Sequence, residues 1–145
     1  ADIVVMAAAV ADFRPKDSVD GKIKKAGGVP EVILEPTPDL LEAIGRNRHP
    51  HQTIVGFAAE TCDLVTNARS KLDRKCLDLV VANDVSAEGV GFAHGTNAVT
   101  LVSADGERDL TLRSKAEIAV GVVNEIVRIR TSMRSVDVGR VSPTN

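Results

Sequence analysis

The chain has 145 residues, 43% apolar and 26% charged, with a formal net charge of −2. This is the length of one domain with a real core, of ordinary globular composition, and its charge gives no reason to expect nucleic-acid binding. No apolar run approaches the roughly 18 residues of a membrane span, the opening ADIVVMAAAV carries no basic leader, and Cys62 and Cys76 form neither a disulfide framework nor a C-x-x-C pair. A cytoplasmic protein with reduced thiols and no membrane contact is expected.

In chain order, Asp2–Ala9 (DIVVMAAA) reads as a strand buried on both sheet faces. Natural domains rarely open on such a run, so a fragment is expected whose N-terminal portion lies elsewhere. Val10–Lys25 reads as a loop carrying Pro15, Gly21 and a knot of lysines, and Val32–Leu34 is a short β-branched run. Thr37-Pro38-Asp39 predicts a helix start: Thr37 as cap, Pro38 at the first helical position, Asp39 at the positive end of the dipole. Leu40, Leu41 and Ile44 mark that helix's apolar stripe and Pro50 its end.

Gln52–Ala58 predicts a second buried strand, and Thr61 to about Lys75 a helix with Leu64, Val65, Ala68 and Leu72 at helical spacing. Leu77–Ala82 is a third strand, running into Asn83-Asp84, and Ser86–Thr96 a glycine-rich loop. Ala98–Ser103 and Arg108–Leu112 alternate around Ala104-Asp105-Gly106, a hairpin pattern. Ser114–Arg130 is the last helix, with Ser114 and Glu117 as a capping box. Residues 131–145 show no periodicity and are expected to be a disordered tail. Strands alternating with helices predict an α/β fold: a Rossmann-like, mostly parallel sheet flanked by helices, ending in an antiparallel hairpin. In such folds ligands bind at the carboxyl ends of strands. Ala11-Asp12-Phe13, Glu60-Thr61 and Asn83-Asp84 each follow a predicted strand, so the polar chemistry is expected along one edge.

The stretch GKIKK puts Lys22, Lys24 and Lys25 within four positions. The plain reading is a solvated basic loop. The functional reading is an anion clamp, bent by Gly21 and the Gly27-Gly28 pair. One lysine about 4 Å from a phosphate gains roughly 4 kcal/mol before desolvation at an effective dielectric near 20. Lys71 and Lys75 lie four apart on one helical face, where like charges repel unless an anion joins them. Asp12 is either a turn aspartate or a contact to a hydroxyl, an amino group or Mg²⁺. Phe57, one of three phenylalanines in a chain without Tyr or Trp, is either core or a stacking surface for a base. His49, His51 and His94 have no metal spacing, and there is no G-x-S-x-G, Walker A or G-x-G-x-x-G motif. The set fits phosphate positioning and charge neutralisation rather than covalent catalysis.

AAAVADFRP, the lysines of 22–25, TPDLL, VGFAAET, the A-R-x-K-x-x-R-K of Ala68–Lys75 and DLVVANDVS, followed by GF and N-A, occur in one order. Together, over residues 1–130, they resemble phosphopantothenate–cysteine ligase, in bacteria usually the C-terminal half of a bifunctional coenzyme A biosynthesis protein. The resemblance implies that the carboxylate of 4′-phosphopantothenate attacks the α-phosphorus of CTP with Mg²⁺ assisting. The amine of L-cysteine then attacks the acyl-cytidylate, releasing CMP. It makes Lys22 a catalytic residue of the phosphate loop, and Asp12, Lys22, Pro38, Asp39, Leu40, Leu41, Phe57, Lys71 and Lys75 contacts of CTP. It places Mg²⁺ on the triphosphate with Asp12 as a candidate ligand, and FMN only in the decarboxylase half of the parent protein. It also implies a cytoplasmic homodimer through the C-terminal hairpin region. The family's asparagine for the acyl-cytidylate and its Ser/Gly-rich phosphopantothenate segment are absent from these residues, so the chain reads as the CTP-binding portion. Ala93-His94-Gly95-Thr96 departs from the family's more polar pattern. The alternative is a Rossmann-like binding module for another nucleotide. A third reading makes the hairpin and last helix a self-association surface and leaves the lysines to solvent.

Overall fold

The β-branched runs pair into one five-stranded sheet in this computed structural model, which describes residues 1–24, 28–86 and 94–138. In chain order the described residues form β1 (Ile3–Met6), β2 (Phe13–Pro15), β3 (Leu34–Pro36), α1 (Leu40–Arg46), β4 (Thr53–Glu60), α2 (Leu64–Arg74), β5 (Leu79–Asp84), β6 (Thr96–Ser103), β7 (Gly106–Ser114) and α3 (Lys115–Val138). The chain divides into two units, one of residues Ala1–Ala7 and Leu41–Asn145, the other of Ala8–Leu40.

The larger unit holds the sheet, in the order β1-β4-β5-β6-β7. The β1–β4 and β4–β5 pairs are parallel, while β5–β6 and β6–β7 are antiparallel. A parallel neighbour needs a crossover, and α2 supplies it from β4 to β5. An antiparallel neighbour needs only a turn, which Ala104-Asp105 supplies between β6 and β7. The sheet is therefore mixed, with a parallel core of three strands and an antiparallel hairpin at one side.

Alternation along the strands builds a core on each face. Ile54, Ala58, Val80, Ala82 and Val102 pack with Leu41 of α1 and Ala68 and Leu72 of α2. Val55, Leu79, Val81, Val99, Leu101 and Leu110 pack with Ile118, Val122, Ile126 and Ile129 of α3. The capping box of α3 is formed as expected: the Ser114 N–H donates to Glu117 Oε2 at 3.0 Å and the Glu117 N–H to Ser114 Oγ at 3.3 Å. The Ser114 hydroxyl donates to the same carboxylate at 2.6 Å, and these bonds hold the Glu117 carboxyl below its usual pKa. Further along α3, Arg130 Nη1 donates to Asp2 O at 2.8 Å, His51 O at 3.1 Å and Thr53 Oγ1 at 3.2 Å, fastening the helix to the amino ends of β1 and β4.

The small unit is a two-stranded antiparallel sheet, with Phe13 opposite Pro36 and Pro15 opposite Leu34. Arg14 Nε donates to Glu35 Oε1 across it at 2.7 Å.

Several sequence expectations shift. The first strand is Ile3–Met6 and is not buried on both faces. It stands at the sheet edge with β4 as partner, so Ile3 and Val5 remain 41% and 49% exposed. The expected loop of residues 10–25 contains β2, invisible in sequence because Phe13-Arg14-Pro15 is short and all exposed. The helix after Pro36 begins at Leu40 rather than Pro38 and ends at Arg46, before Pro50, so Thr37 is not its cap. Thr37 instead bonds Ala11 O through its hydroxyl and Asp12 O through its N–H, the latter at 2.9 Å. The second helix begins at Leu64, after Asp63 in a left-handed conformation (φ 49°). The last helix continues to Val138, past residue 130 where the sequence pattern weakens. Residues 139–145 of the expected tail, and 87–93 of the expected glycine-rich loop, lie outside the described residues. No described helix is long and apolar enough to cross a membrane.

Candidate functional site

In the larger unit the side chain of Lys71 lies against β4. Its Nζ donates to the Phe57 carbonyl oxygen at 2.5 Å, which brings two sequence-predicted residues together from elements fourteen positions apart. Lys75, one turn on, is the C-terminal cap position of α2, its N–H donating to Lys71 O at 3.1 Å. Both lysines are half-buried. Phe57 itself is not the core residue that its apolar run predicts. It is 36% exposed, because it follows Val55 on the α3 side of the sheet where that helix no longer covers the strand.

Leu41 is 6% exposed and its side chain is committed to the core, whereas Leu40 is 51% exposed. The strand-end carboxylates expected at one edge are neighbours: Glu60 and Asp84 are opposite one another in the β4–β5 ladder. Each already has local work, Glu60 Oε2 accepting from Asn67 Nδ2 at 3.0 Å and Asp84 Oδ1 from the Ser86 N–H at 2.9 Å.

In the small unit the Thr37 N–H bond to Asp12 O joins Asp12 to the Pro38-Asp39 segment, which stands 26 residues away in sequence. Asp12 and Asp39 are both exposed. Lys22 and Lys24 are exposed and lie in no regular element, beside Gly21 at φ 114° and Gly28 at φ 84°. Those positive φ values are what the bent-loop reading of the stretch requires. Lys25 and Gly27 lie outside the described residues, as does Ala93. Among the described residues no group of three or more His, Cys, Asp or Glu could hold a metal. A single exposed carboxylate such as Asp12 still fits Mg²⁺ that is carried chiefly by substrate phosphates.

In sequence Asn83 stands out only within the polar Asn83-Asp84 strand end, and Asn97 only within the N-A motif. In the structure their side-chain Oδ1 atoms are buried and have no hydrogen-bond partner among the described residues. The signal was present: each amide occupies an inward position of an apolar strand pattern, two residues from Val81 and Val99 respectively.

Residues 1–129 match the family described as the DNA/pantothenate metabolism flavoprotein C-terminal domain. Over 129 residues the chain is 46% identical to the coenzyme A biosynthesis bifunctional protein CoaBC of Bacillus subtilis (strain 168), a match covering 88% of this chain and 32% of that protein. It is 41% identical over 129 residues to a cysteine/cysteine sulfinic acid decarboxylase of an unknown prokaryotic organism, covering 88% of this chain and 36% of that protein. The chain thus spans about a third of the length of these curated relatives. Among solved structures, the C-terminal domain of a coenzyme A biosynthesis bifunctional protein CoaBC superposes with a TM-score of 0.68 at 32% identity, covering 92% of this chain and 56% of that one. The strand order, the two-sided core and the motif order all lie within this matched span. The chain belongs to the family of DNA/pantothenate metabolism flavoprotein C-terminal domains.

Proposed function

We propose that the chain is the CTP-handling portion of a phosphopantothenate–cysteine ligase, acting in coenzyme A biosynthesis in the cytoplasm. Three things support the reading: the family, the kinship with CoaBC proteins, and the Lys71–Phe57 contact, which carries it furthest. That contact places the Lys71 ammonium group on the β4 backbone, where a cation is available to a phosphate group.

In this reading Lys22 and the helical pair Lys71 and Lys75 meet the triphosphate, and Lys22 neutralises charge that builds as pyrophosphate leaves. Asp12, Pro38, Asp39 and the backbone of Leu40 and Leu41 hold the nucleoside, and Phe57 offers a ring to the base. The 4′-phosphopantothenate carboxylate attacks the α-phosphorus, and the amine of L-cysteine then displaces CMP from the acyl-cytidylate. No enzyme thiol is required, in keeping with Cys62 and Cys76 having no histidine near them in sequence. Mg²⁺, bound to the phosphates and Asp12, would lower the charge of the triphosphate. A second copy would join through the hairpin region, where Leu112 of β7 is exposed.

Calorimetric titration with CTP, ATP and UTP in Mg²⁺ tests the reading. CTP is expected to bind preferentially, and Lys22→Ala to weaken it about tenfold, the loss of one charge-assisted contact, with an unchanged melting temperature. Equal affinity for all three nucleotides favours a general nucleotide module instead. Unchanged CTP affinity in Lys22→Ala returns that lysine to solvent.

A further inference from the structure

Residues 36–38 read Pro-Thr-Pro, so only the middle one carries a backbone N–H. The ribbon of β2 and β3 is built around that fact. Its Thr37 N–H donates to Asp12 O and its Lys16 N–H to Ile33 O, both at 2.9 Å. These two bonds fall on either side of the Arg14–Glu35 pair at a spacing of two residues, so they are bonding rungs of an antiparallel ladder. Pro15 and Pro36 occupy the positions between the rungs, where a missing N–H costs nothing. Past Glu35, Thr37 is therefore the one residue before Asp39 that can donate from its backbone. Its hydroxyl adds a second bond to the same segment, to Ala11 O.

The bonds of this one residue join two segments that carry expected nucleotide contacts. Asp12 lies on the accepting side, and Pro38 and Asp39 follow the donor directly. Thr37 is half-buried, while Asp12, Pro36, Pro38 and Asp39 are exposed. Packing does little to hold these segments: residues 11–15 are all exposed, and a two-stranded ribbon is marginal in water. The prolines make the link stiff. A residue before proline is pushed to extended backbone, and Pro38 has its own φ locked, so little freedom remains between Thr37 and Asp39.

We infer that Thr37 is a positioning residue of the nucleotide site, a clasp that sets Asp12 against Pro38 and Asp39 without touching the nucleotide itself. The inference rests on the proposed CTP reading and deepens it. Binding groups held in place before the ligand arrives lose no freedom on binding, and exposed segments held by few bonds lose much. Two donors on one stiff residue supply that order. Without the hydroxyl, the Ala11-Asp12 segment hangs from one backbone bond.

The test measures affinity for CTP with Mg²⁺, and for inorganic pyrophosphate, in the full chain, in Thr37→Val and in Thr37→Ser. Valine keeps the branched shape and the N–H and removes only the hydroxyl, whereas serine keeps the hydroxyl. Thr37→Val is expected to weaken CTP about tenfold, and Thr37→Ser to stay within about twofold of the parent. Pyrophosphate, which has no nucleoside, should compete equally against all three. Melting temperature should not move, because the buried core lies in the other unit. A double-mutant cycle asks whether Thr37 acts through Asp12: in an Asp12→Ala background, Thr37→Val should cost clearly less CTP affinity than in the parent. If the parent binds CTP but Thr37→Val binds it equally well, serine fails to rescue, or the two losses simply multiply, the inference fails and the CTP reading stands. If the parent binds no nucleotide, the CTP reading fails and takes the inference with it.

Discussion

Gly45 offers a sharp test of how α1 and α2 are packed. A Cβ built on it would stand 1.8 Å from the Lys75 carbonyl oxygen, 3.0 Å from Lys75 C and 3.4 Å from Cys76 O. Backbone cannot rotate away as a side chain can. Restoring an ordinary contact of about 3.4 Å means moving the end of α2, or α1 itself, by about 1.6 Å. Two effects oppose one another in Gly45→Ala. Alanine gains about 1 kcal/mol of helix propensity over glycine. Overpacking costs typically 1–3 kcal/mol and more against rigid neighbours, so about 3 kcal/mol is reasonable here. The clash wins by about 2 kcal/mol, or roughly 4–8 °C in melting temperature for a chain of this size. The displaced residue is Lys75, so under the proposed function CTP affinity should fall as well. Thermal unfolding followed by circular dichroism reads the first effect and calorimetry the second. Gly95→Ala is the control, since a Cβ there meets nothing within 4 Å. A Gly45→Ala chain melting within about 1 °C of the parent would refute the close approach of the two helices.

Other outcomes follow from the polar contacts. Asp78 accepts from Arg48 Nη1 and Nη2, both at 3.0 Å, and from the fully buried Ile54 N–H at 2.7 Å. Asp78→Ala should lose about 3 kcal/mol by urea denaturation, and Asp78→Asn clearly less because one acceptor remains; equal losses would sink this account. Glu117 has its pKa lowered, first by the Ser114 hydroxyl and then by the Ser114 N–H. A depressed carboxyl stabilises the fold above its unfolded pKa and stops doing so as pH falls through the folded value. Ser114→Ala should therefore be less stable than the parent near neutrality, with the gap closing on acidification below the ordinary value of 4.5. A gap of constant size from pH 7 to pH 3 contradicts the linkage.

The local rules written in the chain were enough for much of the fold. Alternating helix and strand periods identify β4, α2, β5, the hairpin and α3, because each is long enough for its period to repeat. The Ser114–Glu117 box is a matter of spacing along one segment, and it forms as written. Lys71 and Lys75 share a face for the same reason. What failed was non-local. The strand pair β2–β3 joins segments about twenty residues apart, and nothing in Phe13-Arg14-Pro15 alone announces a partner. Thr37 looks like a helix cap in sequence, yet its hydroxyl and N–H are taken by Ala11 and Asp12, so the helix starts later.

The same division holds for the site. Residue types and motif order, which are one-dimensional, named the lysines, Asp12 and Phe57. The tertiary structure decided that Leu41 is core while Phe57 is exposed, that Lys71 reaches the Phe57 carbonyl, and that the Asn83 and Asn97 side-chain oxygens are buried without a partner among the described residues. Burial and partnership depend on which strand lies beside which and on where a helix stops covering the sheet. Those are relations between distant segments, and a local sequence pattern does not carry them.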